Sequence, residues 1–166
     1  CRAEYKRLSD PHFHAEATVC PKCGPQLSFL DATGNPVAGD PIALAHHYLT
    51  QGKILAIKGS GCFHLVCDAK NIEAVRELRK RKKREVKPFP IMFANVLSAT
   101  RHVLVSVGEP GSLVLPERPI VLLNKRSHCD ELFPEVAPNL PWLGVTLPFT
   151  PTYYLLFHEA LGRPTE

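Results

Sequence analysis

Between Arg76 and Lys87 the chain carries eight Lys or Arg and two Glu, and Pro88 follows at once. Proline has no amide hydrogen and its ring clashes with the preceding turn, so a helix running through this stretch must stop there. Asn71 is placed to cap that helix, and Ile72, Val75 and Leu78 recur on one face, which predicts an apolar stripe and a cationic end. Phe89-Pro90-Ile91-Met92-Phe93 then reads as a buried strand. Lys82, Arg84 and Lys87 fall on this helix-to-strand junction, where side chains from different directions can meet one anion. The rest of the chain holds twelve basic and fourteen acidic residues, so the net charge of +4 is local. One concentrated patch suits a single polyanion such as a nucleoside triphosphate better than a nucleic-acid coat. The competing reading is a solvated helix end whose cations complement the helix dipole.

A chain of 166 residues with 45% hydrophobic content can bury one core and carry a small appendage. No apolar run approaches the roughly 20 residues that span a bilayer, and the first residues lack the features of a secretory signal. The chain starts on Cys1 with no initiator Met, as an excised fragment would. Six cysteines, arranged as one Cys-x-x-Cys pair and scattered singles, fit a reducing compartment, so a cytoplasmic location is expected. Sixteen prolines fall at element boundaries and not in a low-complexity tract, and there is no internal repeat. A shift from polar to apolar, periodic sequence near residue 40 divides a Cys- and His-bearing segment, residues 1–35, from a body, residues 36–166. The body alternates signals. Pro41 opens a helix that Gly52 ends, Lys53 to Ile57 is a strand, and Asn95 begins a helix containing Leu97, His102 and Val103. Pro119 to Leu123 and Leu143 to Leu147 are buried strands, and Thr150-Pro151 opens a last helix closed by Gly162. This predicts an α/β (α+β) fold with a mixed or parallel sheet covered by helices.

Two constellations carry chemistry. Cys20-Pro21-Lys22-Cys23-Gly24 has the form of a zinc knuckle, two thiolates on a tight turn. A closed zinc site wants four ligands; Cys1 is the sole other cysteine in this segment, with His12 and His14 as substitutes. The plain alternative is a pair of partly buried thiols. The second is Lys58-Gly59-Ser60-Gly61-Cys62-Phe63-His64-Leu65, directly after a strand. Gly59 and Gly61 let backbone amides approach a ligand, Lys58 adds a cation, and His64 can orient a small oxyanion. No Gly-Lys-Ser/Thr opens a helix here, so it is not a Walker loop, and an ordinary glycine turn is the bland reading.

That octapeptide, followed by Cys67-Asp68-Ala69, the Leu78 to Phe89 run, Pro119 to Leu123, Ala137-Pro138 and Leu143 to Pro151, resembles the YrdC-like domain of the HypF-type carbamoyltransferases that mature nickel–iron hydrogenases. Cys1 to Tyr5, Phe13-His14-Ala15 and Cys20 to Pro25 resemble the end of that family's zinc-binding segment, whose Cys-x-x-Cys pairs are 18 residues apart. Residues 2 to 19 number 18, so Cys1 stands where the second cysteine of a preceding pair would be. The resemblance implies a YrdC-like twisted mixed sheet flanked by helices, in a larger enzyme with an acylphosphatase domain before it and a Kae1-type domain after it. It implies that carbamate, released from carbamoyl phosphate, is joined to ATP as carbamoyl-adenylate with loss of pyrophosphate. The carbamoyl group would then pass to the C-terminal cysteine of a partner maturation protein and later become cyanide.

By the same resemblance Lys58, Gly59, Lys82, Arg84 and Lys87 would contact phosphate and adenylate, with Arg79 a further candidate. Thr146, Pro148 and Thr150 would line the pocket, and His64 with Gly61 would hold the carbamate. Lys58, His64, Lys82 and Arg84 are thus the expected catalytic set; Cys1, Cys20 and Cys23 are the expected zinc ligands, and Mg²⁺ is expected with ATP. Cys62 departs from the glycine usual in the family's turn. The chain ends at Glu166, just before the family's Thr-Ser-x-Asn strand, so weak or absent activity is expected of these residues alone. The rival readings are a threonylcarbamoyl-adenylate synthase for tRNA modification and a non-catalytic, zinc-stabilised RNA-binding module using the basic helix.

Overall fold

The computed structural model describes residues 1–15, 20, 22, 24–59, 61–106 and 109–162. The chain divides into two units, Cys1–Pro41 and Ile42–Glu166. The first has little apolar sequence to bury and is built from local polar turns. Its helix α1 (Arg2–Lys6) buries no residue. His14 stacks on Tyr5 and Phe13, with ring centroids 4.9 and 4.2 Å away. Asp31 Oδ1 accepts from the Thr33 and Asn35 amides at 2.8 and 2.9 Å and from the Thr33 hydroxyl. Those hydrogen bonds, Thr33's foremost, hold its carboxyl below the ordinary aspartate value. Gly34 completes the turn at φ +88°, where a side chain would be strained.

The remaining elements are α2 (Pro41–Thr50), β1 (Leu55–Lys58), β2 (Phe63–Val66), α3 (Ile72–Lys82), β3 (Ile91–Met92), α4 (Val96–Thr100), β4 (Val103–Leu104), α5 (Glu109–Val114), β5 (Val121–Lys125), α6 (Cys129–Leu132), β6 (Trp142–Thr146) and α7 (Pro151–Ala160). Strands β1 and β2 form a separate antiparallel hairpin, and a four-stranded sheet runs β3-β6-β5-β4. Only β3 and β6 are parallel; the other two pairings are antiparallel. The sheet is mixed, flanked by helices, as the alternation of signals predicts. Val75, Phe93, Val103, Leu113, Leu123, Leu143 and Val145 are among its buried core. No helix among the described residues is long and apolar enough to cross a membrane.

Local signals set most boundaries. Asn71 caps α3 through its side-chain oxygen, which accepts from the Ala74 amide at 3.0 Å, and Asn95 caps α4 on the Ser98 amide at 2.8 Å. Gly52 ends α2 at φ +75°. The strands expected over Lys53–Ile57, Pro119–Leu123 and Leu143–Leu147 run instead over Leu55–Lys58, Val121–Lys125 and Trp142–Thr146, and three further boundaries differ for identifiable reasons. Helix α3 stops before Pro88, at Lys83, whose left-handed backbone (φ 50°, ψ 43°) turns its amide onto the carbonyls of Arg79 and Lys80. The strand expected over Phe89–Phe93 shrinks to Ile91–Met92, because Pro90 has no donor and the Phe89 amide bonds instead to the Val136 carbonyl at 2.9 Å. The helix expected to include His102 and Val103 ends at Thr100. Val103 lies in β4, fully buried and paired with Lys125, where a β-branched side chain packs well.

Candidate functional site

The hairpin turn between β1 and β2 places Gly59 against His64, while Lys58, which pairs with Phe63, points to the opposite face from His64, which pairs with Ile57. The Gly59 amide donates to the Cys62 carbonyl at 2.8 Å, closing the turn. A Cβ on Gly59 would stand 3.3 Å from His64 Cε1 and 3.4 Å from Nδ1, so the missing side chain lets the backbone lie against the imidazole. His64 Nδ1 is buried with no hydrogen-bond partner, while Nε2 faces Cys62 Sγ at 3.5 Å. A buried polar atom without a partner is costly and marks a place where a ligand can complete the bonding. Lys58 Nζ lies over the Phe63 ring, 5.8 Å from its centroid. Gly61 has open space around it, and Ser60 lies outside the described residues.

Around His64 stand two aromatic residues that sequence reasoning did not single out. Phe149 meets it edge-on at 5.4 Å and Tyr153 lies at 6.2 Å, the two being 5.0 Å from each other. Tyr153 is 3% exposed; burial raises its phenol above the ordinary value, with Cys62 adding to the rise. The available signal was their spacing of four residues across the start of α7, which brings both rings to one side.

The basic junction separates into two roles. Arg79 is buried, and its guanidinium donates to the backbone carbonyls of Glu135, Arg84, Glu85, Lys87 and Val136 at 2.6 to 3.4 Å. It also stacks on Phe89 at 4.9 Å. Burial, partly offset by Glu135, lowers its pKa, yet a guanidinium remains charged. Arg79 therefore corrects the sequence expectation: it shapes the loop from 83 to 88 and turns away from any solvent-borne phosphate. Lys82 and Lys87 are exposed and Arg84 is half-buried, its guanidinium 5.2 Å from the Phe89 centroid. These three remain available to an anion.

Of the residues expected to line the pocket from β6 onward, two are differently placed. Pro148 is fully buried, and Thr146, 7% exposed, directs its hydroxyl to the Arg118 carbonyl at 3.1 Å. Both are largely enclosed, and packing is close along β6, where a β-carbon on Gly144 would stand 3.0 Å from Ile120 Cγ2. Thr150 is half-buried at the N-cap of α7, and its side chain makes no capping bond. A recess of about 440 Å³ between Gly52, Asn71, Arg76 and Lys80 contains none of the expected residues and takes no part in this site.

In the first unit the turn after Cys20 has features of a metal knuckle. The Lys22 amide donates to Cys20 Sγ at 3.4 Å, an orientation that stabilises a thiolate. The Gly24 amide donates to the Cys20 carbonyl at 2.7 Å. Cys1 is exposed at the start of α1 and Cys23 lies outside the described residues. His12 bonds to Asp10 at 3.1 Å, and His14 is held in its aromatic stack. Among the described residues no three His, Cys, Asp or Glu gather as a metal site would require. The chemistry of a thiolate turn nonetheless fits zinc, and Gly24 tests it. A Cβ there would stand 2.5 Å from the Cys20 carbonyl oxygen, so Gly24→Ala must open the turn. Metal analysis is expected to read about one zinc per parent chain and well under half that in the variant; equal contents would remove the turn from the metal site.

A family model described as telomere recombination, for the Sua5, YciO and YrdC proteins, matches residues 47–164. A second, the HypF finger, matches residues 1–30. The chain is 55% identical over 139 residues to carbamoyltransferase HypF2 of Cupriavidus necator, covering 83% of this chain and 17% of that protein. It is 47% identical over 162 residues to carbamoyltransferase HypF of Rhodobacter capsulatus, covering 98% and 21%. It thus spans about a fifth of the length of these relatives. Among solved structures, full-length HypF in its phosphate- and nucleotide-bound form superposes with a TM-score of 0.84 at 43% identity, over 96% of this chain and 20% of that one. Sua5 of P. abyssi complexed with L-threonine superposes with a TM-score of 0.58 at 21% identity, over 75% and 36%, a likeness of fold alone.

Proposed function

The chain belongs to the Sua5, YciO and YrdC family and is a homologue of the HypF carbamoyltransferases, and from that premise we propose that it is the adenylate-forming part of a carbamoyltransferase serving hydrogenase maturation. Its substrates are ATP and carbamate derived from carbamoyl phosphate. The observation that carries the reading is the loop from 83 to 88, held by Arg79 so that Lys82, Arg84 and Lys87 are left for a polyanion. A carbamate oxygen attacks the α-phosphorus of ATP, the bond to the β-phosphate oxygen breaks, and pyrophosphate leaves with the electron pair. Charge grows on the phosphoryl oxygens and on the leaving group, where fixed cations stabilise it most.

In this reading Lys82, Arg84 and Lys87 bear on the phosphates and Lys58 adds a cation from the hairpin. His64, with an unpartnered buried nitrogen beside Gly59, holds the carbamate together with Gly61, and Phe149 and Tyr153 wall that end from water. No protein nucleophile is needed, since the carbamate attacks. Thr150 stands at the rim. Mg²⁺ bound to ATP would neutralise phosphate charge. Zinc on Cys1, Cys20 and Cys23 would hold the first unit, as a finger without a core needs. The carbamoyl group then passes to the C-terminal cysteine of a partner maturation protein, through parts of the longer enzyme, in the cytoplasm.

The test is calorimetric titration with ATP and Mg²⁺, followed by pyrophosphate release with ammonium carbamate or with threonine and bicarbonate. Saturable ATP binding and carbamate-dependent pyrophosphate release support the proposal. Release that requires threonine turns it into the synthase reading. Binding of RNA that falls steeply with salt and ignores ATP, with no ATP titration, leaves a nucleic-acid module.

A further inference from the structure

Cys62 and His64 form a thiol–imidazole pair on the hairpin, of which the adenylation reading uses the imidazole and leaves the thiol without a role. Cys62 is exposed, and its backbone is anchored by the Gly59 amide bonding its carbonyl at 2.8 Å. The side chain is therefore presented from a closed turn, with Sγ 3.5 Å from His64 Nε2. The imidazole is held in turn by Gly59 on one side and by Phe149 and Tyr153 on others. The ionisable group that faces this pair is the buried Tyr153 phenol from α7, whereas Lys58, paired with Phe63 across the hairpin, lies on the opposite face with its ammonium over the Phe63 ring. Among the described residues no carboxylate bonds to either group. The other cysteines of this unit differ: Cys129 is 1% exposed, and burial, with Asp68 adding, pushes the Cys67 thiol up to about 11.

We propose that Cys62 is a site of reversible thiol–disulfide exchange with small-molecule disulfides, with His64 as the positioned proton acceptor. The Cys62 sulfur gives its proton to His64 Nε2 and attacks one sulfur of the disulfide. A new S–S bond forms, the old one breaks, and the departing thiolate takes up the proton, so one thiol and one disulfide give one thiol and one mixed disulfide. The adduct has room at the turn, where Gly61 has open space around it. On the adenylation reading it would close the carbamate end of the site, while the exchange itself stands independently of that reading.

The test treats the parent chain with oxidised glutathione at neutral pH and follows each cysteine-bearing peptide by mass spectrometry. The Cys62 peptide is expected to gain glutathione at least about tenfold faster than those of Cys67 and Cys129, and to lose it on addition of dithiothreitol. His64→Asn is expected to slow the Cys62 reaction on the order of tenfold, the low side of what a positioned base supplies. Should that variant not fold, the same rate is read in the parent chain with and without urea, and it falls on unfolding. Equal rates at the three cysteines, or a Cys62 rate indifferent both to His64 and to unfolding, overturns the proposal. Loss of ATP binding on capping is a separate reading that bears on adenylation alone.

Discussion

Changing Lys82 and Arg84 together to alanine is expected to weaken binding of Mg²⁺–ATP by a hundredfold or more while leaving the fold intact. Two hydrogen bonds to ionised phosphate are worth about 1.5–3 kcal/mol each, and each 1.4 kcal/mol is about a tenfold change in affinity. The fold should survive because neither side chain holds structure. Lys82 is the exposed last residue of α3, and Arg84 contributes a stacking contact on Phe89 that Arg79 also makes. Calorimetry reads the affinity and thermal unfolding reads the control. Unchanged ATP affinity would reduce the basic run to a solvated helix end. A fall in melting temperature of many degrees would mean that the loss of binding is a loss of fold.

Arg79→Met is the opposite case: a large loss of stability from a residue inside the same basic run. Methionine keeps much of the volume but leaves the five carbonyls of Arg84, Glu85, Lys87, Glu135 and Val136 without their shared donor. Buried groups that lose a charged partner cost about 1–3 kcal/mol each where water cannot replace it, so a loss of about 3–5 kcal/mol is expected even with partial hydration. Arg79→Lys should recover only a minor part, since a single ammonium cannot reach carbonyls on two segments at once. Urea unfolding measures the loss, and amide hydrogen exchange over residues 83–88 shows whether the loop opens with it. A loss below about 1 kcal/mol would mean that the carbonyls are already solvated and that Arg79 is not what shapes the loop.

These two variants show where the sequence was legible. Between Arg76 and Lys87 it locates the cationic junction and the elements on either side, and the resemblance supplies which cations to examine. It does not tell Arg79 from Lys82. Both are long, cationic and near the same helix end, and what separates them is the presence of Glu135 and Val136, more than fifty residues further on. The residues expected from β6 show a related limit. Thr146 follows a motif, but its hydroxyl is bonded to the carbonyl of Arg118, 28 residues earlier, a contact with no signature in the local pattern. Phe149 and Tyr153 carry no local mark of a site, since aromatic residues near a helix start are as often plain core.

By itself, then, the sequence determined the punctuation of this protein. Asn71, Asn95, Gly52 and Thr150-Pro151 act through hydrogen bonds and backbone limits that reach no more than four residues, so their effect is complete before the chain folds back on itself. Tertiary structure alone decided which of the chemically similar side chains became scaffold and which stayed available to a ligand. That choice rests on distant backbone carbonyls and on the burial of a histidine nitrogen beside Gly59, and both arise only when separate segments close together and exclude water.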